Sequence, residues 1–272
     1  MKFIEKLLNV SRNNNSLLCV GLDTDLEKTP KFLLKDYDPM FSFNQKIIDS
    51  TCDSVCAYKP NIAFYEAHGS KGWEALKKTC EAIPKEIPII IDAKRGDIGN
   101  TARMYAKVIF EDLGADATTV NAYMGEDAIS PFLEYENKCA FILCLTSNKG
   151  AQDFQLSLVD QKPLYQLVAE KTLSWNKRGN CGLVVGATYP EQLRKIRGIA
   201  ESLPILIPGI GAQSGEVEST VRFGTDEKGE RAIINSSRGI IYASQEKDFA
   251  EAARSEALRL RDKINLYRQT TE

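Results

Sequence analysis

The chain has 272 residues, of which 43% are apolar and 26% are charged, a composition typical of an ordinary globular protein. Its 35 basic and 37 acidic residues leave a formal net charge of −2, which excludes the strong basic field of a general nucleic-acid binder. No apolar run approaches the roughly 18 residues that span a bilayer, so the sequence predicts no membrane partner.

The N-terminal segment, about residues 1–13, mixes charges among apolar residues and predicts an amphipathic helix rather than a signal peptide. The seven cysteines form no CxxC pair, and several lie inside apolar runs. This pattern predicts small buried side chains in a reducing compartment, so we expect a cytoplasmic protein. The single histidine, His68, excludes a histidine-rich metal site.

Short apolar runs recur along the whole chain and predict buried strands. There are eight, at residues 17–22, 55–58, 87–93, 117–122, 140–145, 183–187, 205–210 and 232–235. Helical patterns lie between them, for example at residues 41–51, 73–82, 101–113, 164–175 and 249–265. Strand and helix alternating over about 250 residues predict an α/β fold, a single (β/α)8 TIM barrel over residues 1–272. A doubly wound open sheet is the competitor, but no GxGxxG follows the first run.

Charged residues stand where the second and third strands are predicted to end, the end at which barrel active sites lie. Asp92 and Lys94 are two residues apart, which places both side chains on one face of a regular strand inside a partly dry pocket. Burying one charge alone there is costly, so a lysine beside an aspartate is the expected pair. A salt bridge that merely plugs the barrel is the alternative, but Lys59 and Asp97 extend the set to alternating charges, which a plug does not need.

The least regular stretch, residues 147–162, follows the fifth run and has few apolar residues. In a barrel it would lie at the catalytic face, where it is a candidate lid, with a long surface loop as the alternative. Thr146 and Ser147 stand at its start.

Glycine-rich turns follow the last two runs, as GIGAQSG at residues 209–215 and SSRG at residues 236–239. Such turns leave backbone N–H groups free to face an anion, and a following helix N-terminus adds its dipole. Arg238 supplies a planar guanidinium that suits phosphate oxygens. The two turns predict a phosphate site, with tight turns and a surface arginine as the alternative.

These motifs together resemble the orotidine 5′-phosphate decarboxylase family, and most closely its longer bacterial and parasite-type branch. The run DAKRGDIGNT at residues 92–101 is similar to the DxKxxD signature of that family and its following threonine. GLD at 21–23, YKPN at 58–61, TVNAYMG at 119–125 and PGIGAQ at 208–213 also fit. DxKxxD alone is shared by a wider suprafamily of decarboxylases and aldolases, but the whole set is specific.

The resemblance implies decarboxylation of orotidine 5′-phosphate to UMP and CO2, the last step of UMP synthesis, in a homodimer with composite sites and no cofactor. It implies that Lys94 delivers a proton to C6 of the pyrimidine and that Asp92 stands beside the substrate carboxylate. The remaining implied roles fall to Lys59 and Asp97 in the charge network, Asp23 and Lys59 at the ribose, Thr146 or Ser147 at the base, Gln213 between base and phosphate, Ser237 and Arg238 at the phosphate, and Asp97 and Thr101 in the neighbouring subunit's site.

Elementary chemistry agrees with these roles. Loss of CO2 from C6 leaves an electron pair in the ring plane, where the π system cannot delocalise it. Because the sequence offers no clear metal-ligand set, a fixed charge must stabilise this pair, and the Lys94 ammonium suits that task. Asp92 and Asp97 favour the charged form of the lysines. Binding energy from the distant phosphate can drive loop closure.

Two alternatives belong to other functional classes. A magnesium-dependent sugar-phosphate decarboxylase or hexulose-phosphate synthase of the same suprafamily needs an acidic residue where Lys59 stands, and a second ammonium would repel Mg²⁺. A barrel that only binds phosphorylated ligands would be expected to lack one of the charges, and none is missing. The sequence leaves open whether the chain works alone or associates with orotate phosphoribosyltransferase.

Overall fold

The computed structural model describes residues 1–210 and 214–268. In chain order its elements are α1 (Phe3–Asn13), β1 (Leu18–Gly21), α2 (Pro39–Thr51), β2 (Ala57–Lys59), α3 (Ile62–Glu66), α4 (Gly69–Ala82), β3 (Ile90–Arg95), α5 (Gly99–Lys107), β4 (Ala117–Val120), α6 (Ser130–Leu133), β5 (Cys139–Leu145), α7 (Ala151–Phe154), β6 (Leu158–Val159), β7 (Lys162–Pro163), α8 (Leu164–Trp175), β8 (Cys181–Val185), α9 (Pro190–Ile199), β9 (Ile205–Pro208), α10 (Ser214–Gly224), β10 (Ala232–Ser236), α11 (Arg238–Ile241) and α12 (Phe249–Arg268).

Eight parallel strands of the described chain form one sheet in the order β2-β1-β10-β9-β8-β5-β4-β3. The first and last of these strands meet through two isolated bridges, Tyr58 with Ile89 and Asn61 with Asp92, so the sheet closes on itself. Helices connect consecutive strands on the outside, which confirms the predicted (β/α)8 barrel. The short strands β6 and β7 form a separate antiparallel hairpin.

The strands are continuous apolar runs because both of their faces are buried. One face packs under the helices, and the other fills the barrel interior around Phe141. Helix α1 lies across the N-terminal ends of the strands, where Phe3 meets Phe141 edge-on with 5.6 Å between ring centroids. Lys6 and Arg12 of the same helix pair with Asp116 and Glu230, which precede β4 and β10. The N-terminal mouth is therefore closed, and the C-terminal strand ends remain available for a ligand.

Local departures from the predicted elements have physical causes. The helix predicted over residues 101–113 is α5 followed by a π-helical turn at Val108–Asp112, an arrangement that a 3.6-residue period does not distinguish. Residues 147–162 are more ordered than expected, since they contain α7 and most of the β6–β7 hairpin.

All seven cysteines are free thiols and six are buried; burial raises the pKa of Cys19 to about 12. Within the described ranges, no helix is both long enough and apolar enough to cross a membrane.

Candidate active site

A cavity of about 530 Å³ lies at the C-terminal strand ends, where the sequence predicted the site. Its walls come from the ends of β1, β2, β3, β9 and β10, the turn into α11, and one side of α12. Five of the predicted site residues line it: Asp23, Lys59, Asp92, Ser237 and Arg238. The barrel thus brings together residues that lie more than 200 positions apart in the chain.

The floor of the site carries a carboxylate between two ammonium groups. Lys59, the last residue of β2, is 3% exposed, and its Nζ lies 3.1 Å from Asp92 Oδ2. Lys94 Nζ lies 2.6 Å from the other oxygen, Asp92 Oδ1. Lys59 and Asp92 lie close together because side chains alternate between the two faces of a strand. Ala57 and Ile90 point into the barrel, and Lys59 and Asp92, two positions later on the same strands, point into it as well.

Neighbouring charges keep Asp92 and Lys59 in their ionised forms. Burial raises the pKa of the Asp92 carboxyl, but the charges and hydrogen bonds of Lys59 and Lys94 outweigh it and leave the pKa well below its usual range. Burial lowers the pKa of Lys59, while the carboxylates of Asp92 and Asp23 raise it by more, so its pKa ends above the ordinary value. Asp92 and Lys59 are therefore both ionised at neutral pH.

The strand that carries Asp92 and Lys94 is not regular, which corrects the prediction from simple alternation. Lys94 has a left-handed backbone with φ of +48°, and the pairing of β3 with β4 shifts register between Ile91 and Arg95. Such a bulge re-aims a side chain. The Lys94 side chain is 49% exposed in the isolated chain and that of Asp92 12%, so the partly dry pocket is open to water on the Lys94 side.

The turn after β10 reaches the cavity because β1 ends in a glycine. A Cβ at Gly21 would lie 1.8 Å from Ser237 Oγ, so only the missing side chain lets Ser237 come this close. Tyr242 braces the neighbouring turn, where its hydroxyl accepts the Asp25 N–H at 2.6 Å and donates to the Asp23 carbonyl at 3.1 Å. The Oδ1 atom of Asp23 is buried and has no hydrogen-bond partner within the described structure, so it can accept one from a ligand.

Thr146 and Ser147 differ in whether their hydroxyl groups are already hydrogen-bonded to other side chains of the protein. Thr146 accepts a hydrogen bond from Gln155 Nε2 at 2.9 Å, and its own hydroxyl donates to Asn148 Oδ1 at 2.6 Å. Ser147 is exposed, and its hydroxyl lies close to Gly209, which lines the cavity. The residue left with an available hydroxyl at the rim is Ser147.

Asp97 and Thr101 do not line the cavity of this chain. The Asp97 carboxylate accepts the N–H of Ile98 at 2.8 Å, and Thr101 is exposed on α5. Gln213 lies outside the residues that the structure describes. Arg95, next to Lys94, instead pairs with Glu66.

Two polar residues of the site were missed by sequence reasoning. The Thr119 hydroxyl donates to Asp92 Oδ1 at 2.9 Å. Asn235 lines the cavity, and its Oδ1 is buried without a hydrogen-bond partner in the described residues. Each is a polar residue two positions after an interior residue of its strand, Ala117 for Thr119 and Ile233 for Asn235, and that signal could have found them.

Comparisons with known proteins agree on one family. A sequence model of the Orotidine 5′-phosphate decarboxylase / HUMPS family matches residues 16–254. An orotidine 5′-phosphate decarboxylase of Dehalococcoides mccartyi is 50% identical over 99% of both chains, and one of Herpetosiphon aurantiacus is 50% identical over 94% of this chain and 95% of its own. The structure of Leishmania donovani OMP decarboxylase aligns with a TM-score of 0.88 and 39% identity, over 99% of this chain and 100% of that one. The structure of Leishmania donovani UMP synthase aligns with a TM-score of 0.89 and 40% identity, over 99% of this chain and 57% of that one.

Replacing Gly21 by alanine is expected to displace Ser237, because the added methyl group and the Ser237 hydroxyl cannot occupy the same space. We expect a loss of about 1 to 3 kcal/mol in the free energy of unfolding, measured by urea denaturation. Gly198→Ala is the matched control, since a Cβ at this α9 position meets nothing within 4 Å. Equal stability of the Gly21→Ala protein and the parent would contradict the close approach.

The pH dependence of stability is expected to report the Asp92 ion pair. Asp92→Asn leaves the Lys59 ammonium buried without its ion-pair partner, which costs roughly 3 to 5 kcal/mol at pH 6. Because the folded pKa of Asp92 is depressed, this difference is present above the unfolded pKa of about 3.9 and diminishes as the pH falls below it.

Urea denaturation of both proteins at pH 6, 4 and 3 measures the difference. Asp112→Asn, which removes an exposed partner of Lys77, should change the free energy of unfolding by less than about 1 kcal/mol. A gap between parent and Asp92→Asn that stays constant down to pH 3 would contradict the depressed pKa.

Proposed function

The chain belongs to the orotidine 5′-phosphate decarboxylase / HUMPS family, and we propose that it converts orotidine 5′-phosphate to UMP and CO2 in pyrimidine synthesis. The observation that carries this proposal is the Asp92 carboxylate held between the ammonium groups of Lys59 and Lys94. This cluster borders a cavity that Ser237 and Arg238 also line. A cavity of this size is typical of sites for small molecules such as a nucleotide.

In the proposed reaction the bond between C6 and the carboxylate breaks, CO2 leaves, and the electron pair stays on C6. The Lys94 ammonium gives a proton to that pair and later regains one from water, so the balance is orotidine 5′-phosphate plus H⁺ to UMP plus CO2. Asp92 stands beside the substrate carboxylate and holds Lys94 in position. Because the ammonium charge is oriented before the substrate arrives, it stabilises the developing carbanion without reorganisation.

The ammonium charge of Lys59 disfavours the metal-dependent reaction found in another branch of the suprafamily. A divalent cation at Asp92 would face two ammonium groups within 3.1 Å of the same carboxylate. Hard cations such as Mg²⁺ need oxygen ligands in place of those charges. We therefore propose a reaction that needs neither a metal ion nor an organic cofactor.

The substrate-binding roles follow from which groups have unused hydrogen-bonding capacity. Asp23 and Lys59 are assigned to the ribose hydroxyls, since Asp23 Oδ1 is buried without a partner in the described chain. Ser237 and Arg238 are assigned to the phosphate. Ser147 rather than Thr146 is assigned to the pyrimidine, because the Thr146 hydroxyl is engaged by Asn148 and Gln155. Gln213 keeps its predicted place between base and phosphate.

Residues 147–162 are proposed as a lid. Their base is anchored, since the N–H of Thr146 donates to Gln155 Oε1 at 2.7 Å and Ala151 is buried. Their outer part exposes three large apolar side chains, with Phe154 65%, Leu158 61% and Val159 44% exposed. Closure over a bound ligand would bury this surface and exclude water from the reacting carbon.

We also propose a homodimer with shared sites, in which Asp97 and Thr101 reach the partner's cavity. The supporting observation is an apolar surface, here called the α5 face, formed by α5 and the neighbouring turn after β4. Its exposed residues are Ile98, Met104, Tyr105, Val108, Tyr123 and Met124. A surface of this kind marks an interface, and the turn packs beside α5.

Two expectations about context stay predictions. The free buried thiols support work in a reducing compartment, the cytoplasm. Association with an orotate phosphoribosyltransferase is motivated by the alignment of this chain with 57% of the longer UMP synthase chain of Leishmania donovani.

The purified protein should consume orotidine 5′-phosphate, followed by the loss of substrate absorbance, at the same rate in EDTA and in added Mg²⁺. Lys94→Ala should lower kcat by roughly 10³-fold or more, because it removes both the proton and the charge. Lys77→Ala, which loses only an exposed ion pair, is the matched control.

Retention of a tenth of the activity by Lys94→Ala would exclude Lys94 as the proton donor. Turnover only with Mg²⁺, or no turnover by a folded dimer, would refute the proposed reaction and direct the assay to sugar phosphates.

Mixing two inactive proteins, Lys94→Ala and Asp97→Ala, should restore activity after subunit exchange. Half of the dimers would be mixed and half of their sites intact, so about a quarter of the parent activity is expected from random pairing. A mixture of Lys94→Ala with Asp92→Ala is the control and should stay inactive. Each site takes both of these residues from one subunit, so every site in a mixed dimer carries one of the two substitutions. No recovery after demonstrated exchange would exclude composite sites.

A further inference from the structure

We infer that Thr119 is a positioning residue that sets where the Lys94 ammonium lies. The inference rests on the proposed function for its kinetic consequence, but the contacts that carry it are independent of any substrate. Neither the resemblance nor the family comparison assigned a role to this side chain.

The Thr119 hydroxyl closes a ring of hydrogen bonds around Lys94. The backbone N–H of Lys94 donates to Thr119 Oγ1 at 2.9 Å, and that hydroxyl donates to Asp92 Oδ1 at 2.9 Å. Lys94 Nζ donates to the same carboxylate oxygen at 2.6 Å. Since a hydroxyl has one proton, accepting from the amide leaves that proton free to point at the carboxylate. Lys94 is thus held at its backbone and at the end of its side chain.

The hydroxyl also stabilises the irregular backbone at this point. The left-handed conformation of Lys94 is unfavourable for a residue with a side chain and persists only where its surroundings enforce it. The bulge between β3 and β4 takes the Lys94 N–H out of the regular ladder, and Thr119 Oγ1 replaces the missing carbonyl acceptor. Because Thr119 is 1% exposed, water cannot substitute for it.

Lys94 needs such a restraint because little else holds it. Its side chain is long, flexible and 49% exposed, and within the described structure Asp92 is the one carboxylate that forms an ion pair with it. A proton donor works only within hydrogen-bond reach of the accepting atom, and an error of 1 Å is enough to slow the reaction greatly. Rotation of Asp92 would carry the ammonium with it, and the bond from Thr119 to Oδ1, together with that from Lys59 to Oδ2, opposes the rotation.

The adjacent residue provides a matched control. Thr118 is equally buried on the same strand, but it points to the outer face of the barrel, where its hydroxyl donates to the Ile91 carbonyl at 2.9 Å. Thr118→Val and Thr119→Val therefore each remove one buried hydroxyl that binds β3. The first loses one hydrogen bond, to the Ile91 carbonyl, and the second loses two, to the Lys94 N–H and the Asp92 carboxylate, so only the second touches the charged cluster.

The experiment compares Thr119→Val, Thr119→Ser and Thr118→Val with the parent. We expect Thr119→Val to lower kcat roughly 10- to 100-fold by misplacing the donor. The Kd of the product UMP should stay within about threefold, Thr119→Ser should recover most of kcat, and Thr118→Val should keep kcat within about twofold. Crystal structures should show that Lys94 Nζ has left Asp92 Oδ1 in Thr119→Val alone.

Unchanged kcat in Thr119→Val, or an equal loss in Thr118→Val, would overturn the inference, because either result means that the hydroxyl serves stability only. If the parent itself does not turn over orotidine 5′-phosphate, the proposed function fails, and the crystal structures still decide the positioning role. An unmoved Lys94 in the Thr119→Val structure would refute it.

Discussion

The ion pair between Lys59 and Asp92 is the constraint on which the rest of the site depends. Lys59 is almost fully buried, and a buried ammonium is tolerated only beside a partner charge. The two residues sit on β2 and β3, the strands that meet only through isolated bridges, one of which joins Asn61 to Asp92. The pair therefore spans the seam at which the barrel closes. Chemistry and closure of the fold rely on the same contact.

From that pair the hydrogen bonds of the cluster continue through Asp92 to Lys94 and Thr119. Asp92 has two oxygens; one serves Lys59 and the other is shared by Lys94 and the Thr119 hydroxyl. The carboxylate is saturated by the protein, so a ligand competes for the lysine protons rather than for the aspartate. The buried, unpartnered oxygens of Asp23 and Asn235 lie on the neighbouring walls of the cavity. This separation gives the site one pre-organised charged side and one side with free acceptors for a polar ligand.

The site also divides into rigid and adaptable parts. The charged cluster and the Ser237 turn are built on barrel strands, whose side chains interdigitate on both faces. The segment at residues 147–162 and the α5 face expose apolar side chains that the isolated chain does not bury. Precise placement of charge requires the first kind of support, whereas admission of substrate and exclusion of water require the second.

The sequence alone determined the barrel and most of the charged residues, because strands buried on both faces leave continuous apolar runs and strand ends leave polar residues after them. It predicted Asp92, Lys94 and Lys59 as a group for the same reason. Only the tertiary structure decided the bulge at Lys94 and the role of Thr119, since both depend on the register of β3 against β4. It also favoured Ser147 over Thr146, because no local pattern predicts that Gln155, which follows α7, folds back onto the Thr146 hydroxyl. Residue type and period are local properties of a chain, whereas the contacts that orient a side chain come from segments distant in sequence.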